Sequence, residues 1–274
     1  MKFKKILSII LCVFLAAGLL AGCGPADVAG TEPSDQSSTS GGAGESSPAD
    51  GTQEEQPAEQ LEMLRMAEGG NEFPTPWLRS KKGGGSRKHM LIFDSLLEKD
   101  DEGLIPWLAE SYEIEDDGVS YVFKLRDNIL WHDGEKMTSD DVVFSFEYFT
   151  EFTPISSSLD FEDIASIEAV DELTVKIISN EVCATLLENI GKVSIIPKHV
   201  WENVEDPTTY EEPDALIGSG PYILVERNAS ESVMVYAANE NFWGPTPAAK
   251  MLYWMNASDD VLSLEADETD LARK

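Results

Sequence analysis

The sequence predicts a mixed α/β domain over residues 61–274, preceded by a long segment that cannot form a hydrophobic core. Three observations predict this fold class. Alternating apolar and polar residues, separated by Asp and Gly turn signals, predict short strands and hairpins. Apolar residues spaced three and four positions apart predict helices between those strands. No internal repeat is found in the sequence, which argues against a solenoid or a propeller.

The first part of the domain is predicted to contain a strand, an irregular loop and a helix. Residues 61–67 predict the strand, and the Gly and Pro residues that follow keep the next stretch irregular. A turn is predicted at residues 100–103. Between loop and turn, residues 87–97 predict a helix from the spacing of four apolar side chains, Met90, Phe93, Leu96 and Leu97.

The middle of the domain predicts two hairpins on either side of a helix. Residues 111–126 form the first hairpin, because Asp117 and Gly118 supply turn chemistry before an alternating strand. The helix begins at Thr138, which forms a reciprocal cap with Asp141. A second hairpin pairs 164–170 with 173–178. The remaining elements are a helix over 181–190 and strands over 193–196, 221–227 and 232–237.

The amino terminus has the three parts of a secretory signal, which are predicted to occupy residues 1–22. Three lysines precede an apolar run over residues 6–20. This run is shorter than the ~20 residues that a membrane-spanning helix needs. It ends in Leu20-Ala21-Gly22-Cys23, which resembles a bacterial lipobox. The resemblance implies cleavage after Gly22 and a diacylglycerol on Cys23; the alternative is an ordinary signal peptide. We therefore expect an exported protein, lipid-anchored to the outer face of the cell membrane.

Residues 23–60 predict a disordered acidic tether, because they are nearly all Gly, Pro, Ser, Thr, Ala, Asp, Glu and Gln. The formal net charge of the chain is -31, which makes nucleic acid an improbable partner. Once the signal is removed and Cys23 is acylated, Cys183 is the remaining thiol. One thiol cannot form an internal disulfide, so the core must stabilise the domain. We expect a monomer.

Several sequence motifs occur in an order that resembles the bacterial extracellular solute-binding proteins of family 5, the peptide and nickel type. The segments that carry the resemblance are 104–111, 116–126, Trp131-His132-Asp133-Gly134-Glu135, 138–146, 195–199, 218–222 and 239–244. The resemblance implies one lobe of a class II periplasmic-binding-protein-like fold, with a mixed sheet and hairpins. It also implies that the chain is truncated near residues 265–271, so that the second lobe of the clam is missing.

The family resemblance implies a non-catalytic function. A lipid-anchored solute-binding protein of an ABC importer captures a small solute, most often a peptide, and delivers it to the permease subunits in the membrane. We expect no cofactor and no resident metal. One alternative on the same fold is a receptor for a solute or a peptide signal. Another is a lipid-anchored hydrolase, which is disfavoured because three scattered histidines and one cysteine assemble no nucleophile and base.

Five residues are candidate solute contacts by their position relative to the family's cleft: Trp77, Met90, Phe93, Ser219 and Tyr222. An aromatic side chain such as Trp77 suits solutes of many shapes, and small residues around Ser219 allow close approach. Each candidate has a structural alternative. Trp77, Met90 and Phe93 would pack in the core, and residues 218–220 would form a tight turn. His132 is predicted to be a turn residue, and Cys183 a buried apolar side chain on the 181–190 helix.

If the chain is one lobe of a longer protein, two consequences are expected. Solute binding by this lobe alone should be weak or absent, and an apolar hinge surface should be exposed near residues 252–264.

The lipobox assignment predicts the outcome of globomycin treatment. Globomycin blocks lipoprotein processing, so treated cells should accumulate a larger precursor of this protein, detected by immunoblotting. Normal processing under the drug would contradict the assignment of Cys23 as the lipid attachment site.

Overall fold

The computed structural model describes residues 60–67, 72–77, 85–155, 157–257 and 260–272. The predicted signal segment, Cys23 and the predicted tether up to residue 59 lie outside these ranges. No helix in the described ranges combines the length and the hydropathy that crossing a membrane requires.

Helices and strands alternate irregularly along the described chain. The strands are β1 (Leu61–Ala67), β2 (Leu97–Lys99), β3 (Leu104–Pro106), β4 (Ala109–Ile114), β5 (Ser120–Leu125), β6 (Ile164–Asp171), β7 (Thr174–Ser179), β8 (Tyr222–Asn228), β9 (Val233–Ala238), β10 (Ala249–Met255) and β11 (Leu271–Ala272). The α-helices are α1 (Ser139–Glu151), α2 (Leu186–Gly191), α3 (Lys198–Trp201) and α4 (Asp260–Glu265). Short 3-10 helices span Gly85–Leu91, Phe161–Asp163 and Pro213–Leu216.

The larger sheet is mixed and has the strand order β11-β1-β10-β9-β8. β1 runs parallel to both of its neighbours, whereas β9 runs antiparallel to β10 and β8. Strand β9, which lies between β10 and β8, buries Met234 and Tyr236 completely. Because β1 and β10 are far apart in the sequence, tertiary packing sets their register, in which Leu64 lies opposite Leu252. A mixed sheet accompanied by helices confirms the predicted α/β fold class.

The smaller of the two main sheets is antiparallel and has the order β4-β5-β7-β6, with α1 packed against β6 and β7; β2 and β3 form a separate two-stranded antiparallel sheet. In β5, the alternating residues Tyr121, Phe123 and Leu125 are at most 2% exposed. The turn before β5 is held by Asp117, whose Oδ1 accepts the backbone N–H groups of residues 119 and 120. Both predicted hairpins are therefore confirmed. The buried side chains of the two sheets belong to one hydrophobic cluster.

Helix α1 begins where the capping pattern predicts. The Asp141 Oδ2 atom accepts the backbone N–H of Thr138 at 2.9 Å. The Oδ1 atom of the same carboxylate accepts the N–H of Lys198, the first residue of α3, at 3.0 Å. One side chain therefore fixes the starts of two helices. Phe146 and Phe149 face the core from α1, as the apolar spacing predicts.

The predicted helix over 87–97 is wrong beyond residue 91. A 3-10 helix ends at Leu91, and the N–H groups of Ile92 and Phe93 still bond to the His89 carbonyl, but the carbonyls of residues 92 and 94 bond to distant segments. The Ile92 carbonyl accepts the N–H of Gly220 at 2.8 Å, and the Asp94 carbonyl accepts the N–H of Ile195 at 2.9 Å. Because these two carbonyls bind distant N–H groups, the helix does not continue past this point.

Two further predictions near α2 need correction. The helix begins at Leu186 rather than at residue 181, and Cys183 lies before it with an exposed side chain instead of a buried one. The predicted strand over 193–196 is reduced to a single antiparallel bridge between Ser95 and Ser194.

The expected apolar surface near residues 252–264 divides into two parts. Leu252 and Trp254 lie in β10 between β1 and β9 and are 5% and 9% exposed, so this part is core. Val261 and Leu262 on α4 are each 61% exposed. The expected exposure of apolar side chains was therefore wrong for strand β10 and agrees with the exposed side chains of helix α4.

A buried carboxylate joins three separate segments of the domain. Asp94 is 4% exposed, and its Oδ1 accepts the indole N–H of Trp107 at 2.9 Å. Its Oδ2 accepts the hydroxyl of Ser219 at 2.9 Å and the indole N–H of Trp243 at 3.1 Å. Burial, opposed by these three hydrogen bonds, raises the pKa of Asp94 to about 6.

The loop around Gly218 and Gly220 packs tightly against the same region. A Cβ atom at Gly218 would lie 1.9 Å from the carbonyl oxygen of Ile92. The His132 ring accepts the Gly218 N–H at Nδ1 (3.3 Å), and its Nε2 lies 3.0 Å from the Gly220 carbonyl. This geometry assigns Nε2 as the protonated nitrogen, and burial lowers the pKa of His132. His132 therefore holds this loop, which extends its predicted role as a turn residue.

The raised pKa of Asp94 predicts a pH-dependent stability that Asp94→Asn should remove. A raised native pKa favours folding below the unfolded pKa, and this contribution is lost as pH rises through the native value. Relative to the variant, the wild type should lose on the order of 3 kcal/mol of unfolding free energy between about pH 4 and pH 7. Urea denaturation at several pH values measures this difference, and a pH-independent difference would contradict the prediction.

The close packing of Gly218 predicts a large steric cost for Gly218→Ala. The added methyl group would overlap a backbone carbonyl, so we expect a loss of about 3 kcal/mol or more in unfolding free energy. Gly134→Ala is the control for backbone strain without steric overlap. A Cβ atom at Gly134 would meet no atom within 4 Å, and the residue has a φ of +90°. That backbone strain alone should cost only about 1–2 kcal/mol. Equal losses in the two variants would rule out the steric explanation.

Candidate functional site

A cavity of about 640 Å³ lies between three parts of the described chain. One wall comes from the 3-10 helix 85–91 and the following residues up to β2, the second from Pro76, Pro154, Ser157 and Ser158, and the third from residues 188–194. Its apolar lining comes from Pro76, Met90, Phe93, Pro154 and Val193. Its polar lining comes from His89, Ser95, Glu98, Lys99, Ser157, Ser158, Glu188, Asn189, Lys192 and Ser194. A cavity of this volume, with both apolar and charged walls, is typical of a small-molecule site.

The first and third walls are held together by backbone contacts. The bridge between Ser95 and Ser194 joins them directly, and the hydrogen bond from Ile195 to the Asp94 carbonyl continues this contact. Because Asp94 is fixed by Trp107 and its other two donors, the adjacent residue Phe93 is held in a defined position.

The second wall depends on the buried indole of Trp77. Its Nε1–H donates to the Phe152 carbonyl at 2.6 Å, at the carboxyl end of α1. Its ring packs against Trp201 and Phe149, with centroid distances of 4.7 and 5.4 Å. The Pro76 carbonyl also accepts the N–H of Ile155. These contacts place Pro76 and the segment after α1 beside the cavity.

The structure brings two of the five predicted solute contacts into the cavity. Met90 is 50% exposed and Phe93 is 2% exposed, and both line it. Trp77 is 2% exposed within the aromatic core, and Ser219 is fully buried against Asp94. Tyr222 is 7% exposed and donates its hydroxyl to the Ala249 carbonyl at 3.1 Å. The role of all five as solute contacts stays a prediction, and Cys23 lies outside the described residues.

Sequence reasoning missed a charged cluster that lines the cavity. The Nζ atom of Lys99 lies 3.1 Å from each carboxylate oxygen of Glu188. The Nζ atom of Lys192 lies 2.6 Å from Glu188 Oε1. The hydrogen bonds from Lys192 and Lys99 lower the pKa of Glu188, so its carboxylate stays ionised. The four-residue spacing of Glu188 and Lys192 at the end of a predicted helix is visible in the sequence. The approach of Lys99 is not, because it comes from a strand 89 positions earlier.

His132, His199 and Cys183 each contact a polar group outside the cavity lining. His132 contacts the backbone of residues 218 and 220, and His199 Nε2 lies 2.8 Å from Asp133 Oδ2. The Cys183 sulfur lies 3.4 Å from the Thr185 hydroxyl, and this contact lowers its pKa. Within the described ranges, no three His, Cys, Asp or Glu side chains group closely enough to hold a metal ion.

Comparison with known proteins assigns the family. Residues 103–273 match the family described as bacterial extracellular solute-binding proteins, family 5 Middle. Heme-binding protein A from Haemophilus influenzae is 30% identical over 207 residues, which is 66% of this chain and 38% of that protein. Di/tripeptide-binding protein 3 from Pseudomonas aeruginosa is 30% identical over 177 residues, which is 56% of this chain and 33% of that protein.

Solved structures show the same fold. NikZ from Campylobacter jejuni in complex with Ni(L-His) is 29% identical, with a TM-score of 0.65 over 77% of this chain and 42% of that one. NikA from Brucella suis in complex with Fe(III)-EDTA is 26% identical, with a TM-score of 0.67 over 76% of this chain and 42% of that one. The chain thus spans less than half the length of the relatives it matches. It belongs to the bacterial extracellular solute-binding proteins of family 5.

Proposed function

We propose that this chain is the solute-capturing first lobe of an ABC importer's binding component, held at the outer face of the membrane by a lipid on Cys23. Its partners would be the permease subunits that receive the solute. The observation that carries the proposal is the 640 Å³ cavity lined by Met90 and Phe93 in a chain of family 5. The roles of Cys23 and of the tether rest on the sequence pattern alone.

We further propose a peptide as the captured solute. The lining of the cavity combines apolar side chains such as Phe93 and Val193 with small hydroxyl side chains such as Ser95 and Ser194. It also includes charged side chains of both signs. A peptide presents the matching chemistry, because it carries apolar side chains, amide groups and charged ends. One relative is named for di- and tripeptides, whereas others are named for heme or were solved with metal chelates.

The exposed side chain of Met90 gives a test of solute capture. NMR titration of the processed chain with the tripeptide Ala-Phe-Ala, up to millimolar concentration, should give saturable shifts. Met90→Ala should weaken this binding about fivefold, because apolar contact with the solute is lost. Met63→Ala is the matched control, since Met63 is 46% exposed on β1 and does not line the cavity. The absence of saturable shifts with tripeptides, sugars and nickel chelates at millimolar concentration would overturn solute capture by this lobe.

A further inference from the structure

Three charged side chains meet at one side of the cavity and form what we call the lysine cluster: Lys99, Glu188 and Lys192. Lys99 comes from β2, Glu188 comes from α2, and Lys192 directly follows α2. Both ammonium groups bind the same carboxylate at distances between 2.6 and 3.1 Å. All three side chains line the cavity.

The charges within the lysine cluster do not cancel. Two ammonium groups share one carboxylate, so the cluster carries one positive charge in excess. Each ammonium has three N–H donors. Lys99 bonds to both oxygens of Glu188 and Lys192 to one, so at least three of the six N–H groups remain available. No other partner is recorded for either ammonium in the described part of the chain. The cluster therefore has both the charge and the donors to bind an anion.

The surroundings make this excess charge effective. The side chains of Lys99 and Lys192 are 48% and 44% exposed, so a solute in the cavity can reach them. Glu188 holds the two ammonium groups close together, which lowers the entropic cost of placing both on one ligand group. The chain as a whole carries a net charge of -31, so a positive site at a cavity wall is a local exception. An anionic group would be drawn to it.

Glu98, the residue before Lys99, supplies a second negative charge to the cavity lining. Its Oε1 accepts the Ser95 hydroxyl at 3.2 Å. No ion pair of Glu98 is recorded among the described residues. Phe93 and Val193 supply apolar lining. This combination matches a solute that has a carboxylate and an apolar body.

We propose that the lysine cluster binds a free carboxylate of the captured solute. This inference rests on the proposed solute-binding function of the cavity and adds a preference to it: solutes that end in a carboxylate bind more tightly than the same solutes with an amide end. Such a pair of ammonium groups would receive the carboxylate through charge-assisted hydrogen bonds.

The experiment compares Ala-Phe-Ala with its carboxyl-terminal amide by NMR titration of the processed chain. We expect the free acid to bind about fivefold more tightly, a modest ratio because the lysines are partly solvated. Lys99→Gln and Lys192→Gln should each reduce this ratio, and the double variant should abolish it. Lys124→Gln is the matched control, because Lys124 pairs with Glu110 on the smaller sheet and does not line the cavity.

Glu188→Gln separates a binding role of the cluster from a structural one. If the cluster only ties β2 to α2, this variant should behave like the lysine variants. If the cluster binds a carboxylate, removal of the competing Glu188 charge should increase the preference for the free acid. Thermal melting of each variant checks that the fold is kept, which is expected because all three side chains are at least 34% exposed.

The outcomes distinguish this inference from the proposed function. Equal binding of the acid and the amide overturns the carboxylate subsite and leaves solute capture in place. A preference that survives in the double lysine variant, or that falls in Glu188→Gln, also overturns it. Failure of both peptides to bind, together with failure of the other solutes, overturns both proposals.

Discussion

The buried carboxylate of Asp94 is the interaction on which the arrangement of the domain depends. It accepts hydrogen bonds from Trp107, Ser219 and Trp243, which come from three separate segments. A carboxylate removed from water is costly unless donors replace the solvent, so each of these segments must reach it for the fold to be stable. The cost that remains is visible in the raised pKa of Asp94. A single side chain thus converts three local structures into one packed unit.

The same interaction determines where the cavity forms. Phe93 precedes Asp94 and Ser95 follows it, and both line the cavity. The Asp94 carbonyl binds Ile195, which continues the wall that carries Val193 and Ser194. The indole of Trp77 fixes the opposite wall through Phe152 and the aromatic core. The cavity is therefore bounded by elements that core contacts already hold in place, so its walls need little ordering when a solute binds.

Charged side chains have different roles in the core and in the cavity. Two buried carboxylates, Asp94 and Asp141, accept hydrogen bonds from backbone, indole or hydroxyl donors and stabilise the fold. The lysines of the cavity are half-exposed and share one acceptor, which leaves donor capacity for a ligand. Half-exposed charged side chains such as these lysines contribute little to stability. A family of binding proteins can therefore change them, and with them its solute preference, while it keeps the hydrogen bonds of its core.

The sequence by itself determined the elements that depend on neighbouring residues. Alternation and Asp-Gly turns predicted both hairpins, the capping pair Thr138 and Asp141 predicted the start of α1, and the ordered motifs predicted the family and its α/β fold. Tertiary structure alone decided the contacts of Asp94, whose partners lie 13, 125 and 149 positions away, and the approach of Lys99 to Glu188. It also decided the conformation of residues 92–97, which the sequence predicted as helix. There the carbonyls of residues 92 and 94 bind the N–H groups of residues 220 and 195. Local patterns reflect short-range backbone and side-chain preferences, whereas a buried charge or a cavity exists only once distant segments have packed.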